Sequence, residues 1–151
     1  MNIKTLKNQL IADEGVMYKV YLDHLGKPTF GVGHLITYSD PEYGLEVGTP
    51  VSKERVLEVF RKDIKVSIAE TKKLYGEDIF QSWPEEVRQI IVNMMFNMGR
   101  PRLSTFINFR GAILKRDWQS AAYHGRDSLW YRQVTNRAER LMSRLERVTE
   151  L

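Results

Sequence analysis

Apolar residues recur with a helical spacing over most of the chain, and one early segment shows a different pattern. Residues 2–12 carry apolar side chains at relative positions i, i+3, i+7 and i+8, which predicts a short amphipathic helix that stops before Gly15. Between residues 16 and 35, Val, Tyr, Phe and Thr are dense and glycines interrupt them, which predicts two or three short strands. The first turn is expected at residues 23–26, because Gly26 can adopt a positive φ.

The rest of the chain is predicted to form a loop followed by helices. Residues 37–51 are rich in Pro and Gly and predict a surface loop, after which Ser52 is placed to cap a long helix. Gly99 is expected to end the helix with the clearest apolar stripe, and Thr135 is expected to cap the last helix. The predicted helices lie at residues 53–74, 84–99, 105–115, 117–124 and from 135 onward.

These elements predict an α+β fold that is predominantly α and that forms one domain over residues 1–151. A small N-terminal lobe with a short antiparallel sheet would span residues 13–52, and a long inter-lobe helix would follow at residues 53–75. An all-α lobe would combine residues 1–12 with residues 76–151. Hydrophobic residues make up 42% of the chain and charged residues 28%, so a packed core is expected rather than disorder.

The composition excludes some functions and leaves others open. There is no cysteine, which excludes a disulfide framework and a thiolate metal site, and the sequence contains no cofactor motif and no histidine cluster for a metal. The N-terminal segment has no apolar run long enough for a signal peptide or a membrane span. A net charge of +4 and a pI of about 9.3 favour polyanionic partners such as nucleic acid, anionic lipid or bacterial wall polymers, without choosing among them.

Two acidic residues stand at the junctions between predicted elements. Glu14 falls at the C-terminal end of the first helix, where the helix dipole disfavours a carboxylate by about 0.3–1 kcal/mol and so favours the protonated form. Asp23 falls in a turn, where solvent and backbone amides favour the ionised form. Glycoside hydrolysis requires one acid that holds a proton and one that stays charged. The spacing alone does not decide between catalysis and ordinary turn structure.

Motifs along the whole chain resemble those of the T-even bacteriophage lysozyme family, the phage-type muramidases or endolysins. The spacing of Glu14, Asp23 and Thr29 is similar to the family's Glu-x8-Asp-x5-Thr catalytic pattern, with no gap. The other motifs that carry the resemblance are Tyr21-x-Asp23, Thr29-x-Gly31-x-Gly33-His34-Leu35, Phe60-x-x-Asp63, Asn93-Met94-x-Phe96-x-Met98-Gly99, Trp130-Tyr131-x-Gln133 and Asn136-Arg137-Ala138-x-Arg140. Together they cover nearly the whole chain, which makes chance agreement an inadequate explanation.

The resemblance implies an enzyme that hydrolyses the β-1,4 bond between N-acetylmuramic acid and N-acetylglucosamine in peptidoglycan, with inversion at the anomeric carbon. Glu14 would be the general acid that protonates the leaving oxygen. Asp23 would position or deprotonate the attacking water and stabilise the oxocarbenium-like transition state, and Thr29 would hold that water. No cofactor is implied.

The resemblance also implies supporting roles for five further residues. Arg137 would pair with the catalytic acid and help to set its environment. Leu35 and Phe96 would line the saccharide cleft, although a core position is the alternative for Phe96 because it lies in the apolar stripe of its helix. His34 is a candidate base on general grounds, but the resemblance implies that it forms a structural ion pair with Asp63.

The sequence departs from the T-even protein at three places. The loop at residues 37–51 is shorter, and the helix expected there is missing. Phe109 and His124 stand where the T-even protein has a serine and an asparagine, so their roles in sugar contact are not carried over. These changes concern the cleft and substrate preference rather than the chemistry.

The implied partner is the glycan strand of peptidoglycan, bound by a monomer without nucleic acid and without stable membrane association. Because no signal segment is found, the resemblance implies that the protein accumulates in the host bacterial cytoplasm and reaches the wall through a separate permeabilising protein.

Three alternatives remain at this point. The basic charge and the arginines of the last helix are compatible with a helical protein that binds nucleic acid, which would have no use for Glu14. A wall-binding module without activity is disfavoured because Glu14, Asp23 and Thr29 are all present. A transglycosylase, which cleaves the same bond without water and needs only a glutamic acid, is disfavoured by Asp23 and Thr29.

Overall fold

The computed structural model describes residues 1–150 of the chain. Within this range the protein has an α+β fold that is predominantly α, with eight helices and one small antiparallel sheet of three strands, so the predicted fold class is confirmed. No helix in this range is long and apolar enough to cross a membrane. The elements in chain order are α1 (Ile3–Glu14), β1 (Met17–Leu22), β2 (Pro28–Gly31), β3 (His34–Leu35), α2 (Lys53–Tyr75), α3 (Glu77–Ser82), α4 (Glu85–Leu103), α5 (Ile107–Leu114), α6 (Trp118–Arg126), α7 (Leu129–Gln133) and α8 (Thr135–Glu146).

The contacts between residues divide the chain into two compact units. The first is Ile3–Val66, and the second contains residues 1–2 together with the chain from Ser67 onward, so the division falls inside α2. This division groups α1 with the sheet, whereas the sequence pattern assigned residues 1–12 to the helical lobe. The predicted lobe boundaries stay a prediction.

The first unit is built around the three strands. Their order is β1-β2-β3, and both pairs are antiparallel. Its hydrophobic core is formed by buried side chains from the sheet, the following loop and α2, namely Val20, Phe30, Ile36, Val51, Val56 and Val59. The predicted loop at 37–51 contains no helix, and its last part runs beside β1, where Lys19 pairs with Pro50. This covers the outer edge of the sheet.

Helix α1 extends two residues further than its predicted end, through Glu14. Leu6 and Leu10 are fully buried, but Ile3 and Ile11 are 38% and 40% exposed, so the apolar stripe is narrower than the sequence spacing suggested. Gly15 follows with φ of 73° and turns the chain toward β1. The predicted cap on α2 is confirmed, because Ser52 Oγ accepts a 3.1 Å hydrogen bond from the N–H of Arg55.

Among the described residues of the second unit, all regular elements are helices. The buried side chains of α4 include Val87, Ile90, Ile91, Met94 and Met95, which follow the predicted stripe. Gly99 breaks the helical conformation as predicted, with φ of 78° and ψ of 162°, but the chain resumes a helical turn at residues 100–103. Gly99 therefore kinks the segment rather than ending it.

Two short helices and one cap differ from the sequence predictions. Helix α3 was not expected; it forms because Gly76 separates it from α2, Glu77 and Asp78 suit the positive end of its dipole, and Phe80 is buried. Helix α7 was not expected either. The prediction that Thr135 caps the last helix is wrong, because Thr135 is the first residue of α8 and its Oγ1 donates to the carbonyl of Tyr131 at 2.8 Å.

Candidate active site

Glu14 is the last residue of α1, and its side chain is partly exposed. Its carboxyl group lies against the turn that joins β2 to β3, because a Cβ atom at Gly33 would stand 2.7 Å from Glu14 Oε1 and 2.9 Å from Cδ. The hairpin therefore folds back onto the C-terminal end of α1. This brings backbone from the Gly31–Gly33 motif next to the acid that the sequence singled out.

Asp23 lies in the turn between β1 and β2, where backbone amides hold one of its carboxylate oxygens. Oδ1 accepts hydrogen bonds of 2.9 Å from the N–H groups of Leu25 and Lys27. Gly26, with φ of 77°, closes the turn by donating its N–H to the Asp23 carbonyl at 2.9 Å. These two N–H bonds hold Oδ1 in place and leave Oδ2 outside the bonds of this turn.

Thr29 is buried in β2, directly between two neighbours of the sheet. It pairs with Tyr21 of β1 on one side and with Leu35 of β3 on the other, so the three side chains lie in one row on the same face. Its Oγ1 donates a 2.9 Å hydrogen bond to the carbonyl of Lys27. Since the hydroxyl proton is used in this bond, the oxygen's lone pairs remain as acceptors for a water molecule.

Tyr21 belongs to the same group, although its motif alone assigned it no role. Partial burial raises the pKa of its hydroxyl, and the negative charges of Glu14 and Asp23 raise the pKa further. Both acids are thus within electrostatic reach of the same side chain. The signal for Tyr21 in the sequence was its place two residues before Asp23 on a strand, which fixes the side of the sheet on which it lies.

Leu35, the other candidate for saccharide contact in this unit, is 44% exposed at the end of the same row. An exposed leucine on the row that holds Thr29 can offer an apolar surface to a sugar ring. That role stays a prediction.

His34 lies between two carboxylates rather than beside one. Its Nδ1 is 2.7 Å from Oδ2 of Asp63, the expected contact, and its Nε2 is 2.9 Å from Oδ2 of Asp40. Partial burial lowers the pKa of the imidazole, but the hydrogen bonds and charges of Asp63 and Asp40 outweigh burial, so the pKa is raised above its usual value. Both ring nitrogens are occupied in this arrangement, which suits a structural role better than that of a base.

Asp40 was missed because it lies in the loop at 37–51, where a sequence offers no periodic pattern. Partial burial raises its pKa, but hydrogen bonds from the Thr37 N–H and from His34 outweigh that effect and hold the pKa below its usual range. Arg55 of α2 approaches Asp40 at 3.7 Å and binds Glu42 through its Nε at 2.9 Å. The loop is therefore fastened to α2 at two points.

Arg137 and Phe96 belong to the second unit and are described within it. Arg137 is buried in α8, where its Nε donates a 3.0 Å hydrogen bond to Oδ1 of Asn93 in α4. Phe96 is partly exposed on α4. The predicted support of the catalytic acid by Arg137 and the saccharide contact of Phe96 both stay predictions.

The second unit also contains a cleft of about 470 Å³ lined by residues of α5, α6 and α7. Phe109, which departs from the T-even pattern, is fully buried there and meets Phe106 edge to face, with ring centroids 6.1 Å apart. His124 and Trp130 line the same cleft, and Trp130 Nε1 donates to Oδ1 of Asn97 at 2.8 Å. Phe109 thus acts as a packing residue under the cleft.

Within residues 1–150 no cluster of three or more His, Asp or Glu side chains could hold a metal ion. The groups of the first unit supply one carboxyl at a helix end, one carboxylate in a turn and a hydroxyl oxygen that can accept from water. These are the groups that acid–base hydrolysis needs.

Comparison with known proteins decides the family. The profile of the family described as phage lysozyme matches residues 12–146. The chain belongs to the phage lysozyme family. The match covers β1 to α8 completely and begins within α1, so it includes most of each unit.

Individual relatives agree with this membership. "Probable T4-type lysozyme 2" of Dictyostelium discoideum is 26% identical over 161 residues, and "Probable T4-type lysozyme 1" of the same organism is 28% identical over 164 residues; each alignment covers 95% of both chains. The "Pre-baseplate central spike protein Gp5" of Enterobacteria phage T4 is 29% identical over 91% of this chain. The aligned region makes up only 27% of the length of that protein. The phage lysozyme family match identifies a lysozyme-type glycoside hydrolase domain.

Proposed function

We propose that this phage lysozyme domain is an inverting muramidase and acts as an endolysin on peptidoglycan glycan strands. The observation that carries the proposal is the contact between the Glu14 carboxyl and the β2–β3 turn at Gly33, in the same unit as Asp23 and Thr29. The names of the T4-type lysozyme relatives support the same substrate class.

Glu14 would act as the general acid. In its protonated form it donates its proton to the oxygen of the β-1,4 bond between N-acetylmuramic acid and N-acetylglucosamine as the bond from that oxygen to the anomeric carbon breaks. Its position supports this role, because Glu14 is the last residue of α1 and its carboxyl lies against the β2–β3 turn, in the same unit as Asp23 and Thr29.

Asp23 and Thr29 would prepare the attacking water. The water would donate one O–H to Asp23 and the other to the Thr29 oxygen, whose own proton is engaged by the Lys27 carbonyl. A water lone pair would then point at the anomeric carbon on the face opposite the leaving oxygen. As the C–O bond forms, Asp23 accepts the proton, and the product carries the inverted configuration.

The remaining groups would support this centre. Leu35 would contact the sugar from the sheet, Phe96 would contact it from α4, and Arg137 would assist the acid. His34 and Asp63 would hold the β2–β3 turn in place rather than exchange protons with the substrate, as their 2.7 Å contact suggests. The family resemblance is the basis for three further parts of the proposal. The protein would act as a monomer and lyse the host cell. It would accumulate in the host cytoplasm and reach the wall through a separate permeabilising protein.

The direct test compares Glu14→Gln with Glu54→Gln in the clearing of a suspension of bacterial cell walls. The two substitutions remove the same charge, and Glu54 is an exposed residue in the first turn of α2. Loss of a general acid should slow clearing by about 10²–10⁴-fold in Glu14→Gln, whereas Glu54→Gln should match the unaltered protein. A folded Glu14→Gln variant with full activity would contradict the proposal.

A further inference from the structure

The backbone of Gly33 lies so close to the Glu14 carboxyl that no residue with a Cβ atom would fit there unless something moved. A Cβ at this position would lie 2.7 Å from Oε1, 2.9 Å from Cδ and 3.2 Å from Cγ of Glu14, and real Cβ atoms essentially never approach another atom within 3.0 Å. The φ of Gly33 is 61°, which also favours glycine. The approach involves the carboxyl end of the proposed acid, not its backbone.

The turn that carries Gly33 is held firmly on both sides. His34, the next residue, pairs with Phe30 across β2 and β3 and reaches Asp63 of α2 at 2.7 Å. Gly31, before the turn, packs so tightly that a Cβ there would lie 3.2 Å from Cγ1 of Val56. A group added at Gly33 therefore cannot be accommodated by moving the turn outward from α2, and the movable partner is the Glu14 side chain.

Other glycines with left-handed backbone do not share this feature. Gly15, Gly26, Gly44 and Gly48 all have φ between 73° and 94°, and a Cβ at any of them would meet nothing within 4 Å. Backbone conformation alone thus explains those glycines. At Gly33 the backbone and the neighbouring carboxyl impose separate requirements.

We propose that Gly33 is a positioning residue for the catalytic acid. The absence of a side chain lets the Glu14 carboxyl rest against the turn, and the turn, anchored through His34, sets where that carboxyl stands relative to the sugar. The inference rests on the proposed role of Glu14 as general acid. It adds a residue that does not touch the reacting atoms and acts through Glu14.

The test compares Gly33→Ala with Gly44→Ala. Both variants place alanine at a positive φ, so both should lose thermal stability by a similar amount, and the added methyl of Gly44→Ala meets open space. The methyl of Gly33→Ala should displace the flexible end of Glu14, and a misplacement of about 1 Å can reduce the rate by about 10²-fold. We expect kcat on a soluble peptidoglycan fragment to fall by that factor with KM nearly unchanged, while Gly44→Ala keeps its activity. Equal kcat in the two variants would overturn the inference.

A second comparison separates positioning from a general structural effect. In a Glu14→Ala background Oε1, Cδ and Cγ, the three Glu14 atoms that the added methyl would meet, are all absent, so Gly33→Ala no longer collides with this side chain. The same glycine substitution should then cost less than about threefold in the residual kcat, because the two sites are coupled. A loss of about 100-fold in both backgrounds would contradict positioning through Glu14.

The failure of this inference can be told from the failure of the proposed function. Carbon-detected NMR of the Glu14 side-chain carboxyl reports its environment without any activity. We expect its chemical shift to change in Gly33→Ala and to stay unchanged in Gly44→Ala. An unchanged Glu14 signal, or a Gly33→Ala chain that fails to fold beside a folded Gly44→Ala, would overturn the role of Gly33. Full activity of Glu14→Gln would instead overturn the proposed function.

Discussion

The imidazole Nδ1 of His34 lies 2.7 Å from Oδ2 of Asp63, and this contact joins strand β3 to helix α2. The other ring nitrogen reaches Asp40 in the loop at 37–51. A protonated imidazole donates to both carboxylates, whereas a neutral imidazole donates to only one. The charge state of His34 therefore determines how firmly the sheet, the loop and α2 are held together, next to the turn that carries Gly33.

The first prediction concerns the titration of His34. Because Asp63 and Asp40 together outweigh the effect of partial burial, the pKa of His34 should lie above the usual value of about 6.5. Asp63→Asn and Asp40→Asn each remove one charged acceptor, and each should lower this pKa. NMR titration of the ring signals measures it, with His24 in the exposed β1–β2 turn as the internal control. A His34 pKa that responds to neither substitution would show that the two contacts do not carry charge.

The second prediction concerns stability as a function of pH. The pKa of His34 is raised in the folded state, so its contribution is complete below the unfolded value of about 6.5 and is lost as pH rises through the folded value. Asp63→Asn should therefore lower the free energy of unfolding by about 1–2 kcal/mol near pH 6 and by less at pH 9. The value lies at the lower end for charged hydrogen bonds because both side chains are partly exposed.

Urea denaturation at the two pH values measures this difference. The choice of pH 6 keeps Asp40 ionised, because hydrogen bonds from Thr37 and His34 overcome the effect of burial and hold its pKa low. Asp127→Asn, at the exposed C-terminal end of α6, is the control and should change stability little at either pH. A larger effect of Asp63→Asn at pH 9 than at pH 6 would have the wrong sign for this account.

The third prediction separates the structural and chemical uses of Asp23. Asparagine also has an Oδ1 that can accept the N–H groups of Leu25 and Lys27, so Asp23→Asn should keep the turn and the Tm. It cannot accept the proton of water, so wall lysis should fall by about 10²–10⁴-fold.

A matched control for this substitution exists at the start of α6. Asp117 caps that helix by accepting from the N–H of Ser120 through Oδ1, so Asp117→Asn also keeps its acceptor while it loses its charge. We expect this variant to keep full lytic activity. If Asp23→Asn remained as active as Asp117→Asn, Asp23 would be a turn residue and nothing more.

The sequence predicted the long elements because their apolar residues repeat often enough to define a period. Helices α2 and α4 have 23 and 19 residues, and both were expected. Helices α3 and α7 have six and five residues, too few to show a helical repeat, and both were missed. The prediction that Thr135 caps α8 was wrong because its hydroxyl donates instead to the Tyr131 carbonyl in α7. This hydrogen bond depends on how α7 meets α8, which the local sequence does not show.

The sequence indicated the candidate catalytic residues, which lie close together along the chain. Glu14, Asp23 and Thr29 lie within one short stretch and match a family spacing, whereas Asp40 and Gly33 matter through partners brought close by folding. Gly33 is one of several glycines with positive φ, and only the tertiary structure separates it from the others. Contacts of this kind have no signature in a single sequence.

The most direct test of the central claim is the chemistry of the fragments released from purified peptidoglycan. Mass spectrometry of the products should find muramic acid with a reducing end for the unaltered protein, as attack by water requires, and no release above background for folded Glu14→Gln. Fragments that end in anhydro-muramic acid would show cleavage without water, and equal release by Glu14→Gln would show that Glu14 is not the acid. Either result would contradict hydrolysis by Glu14 with a water held by Asp23 and Thr29.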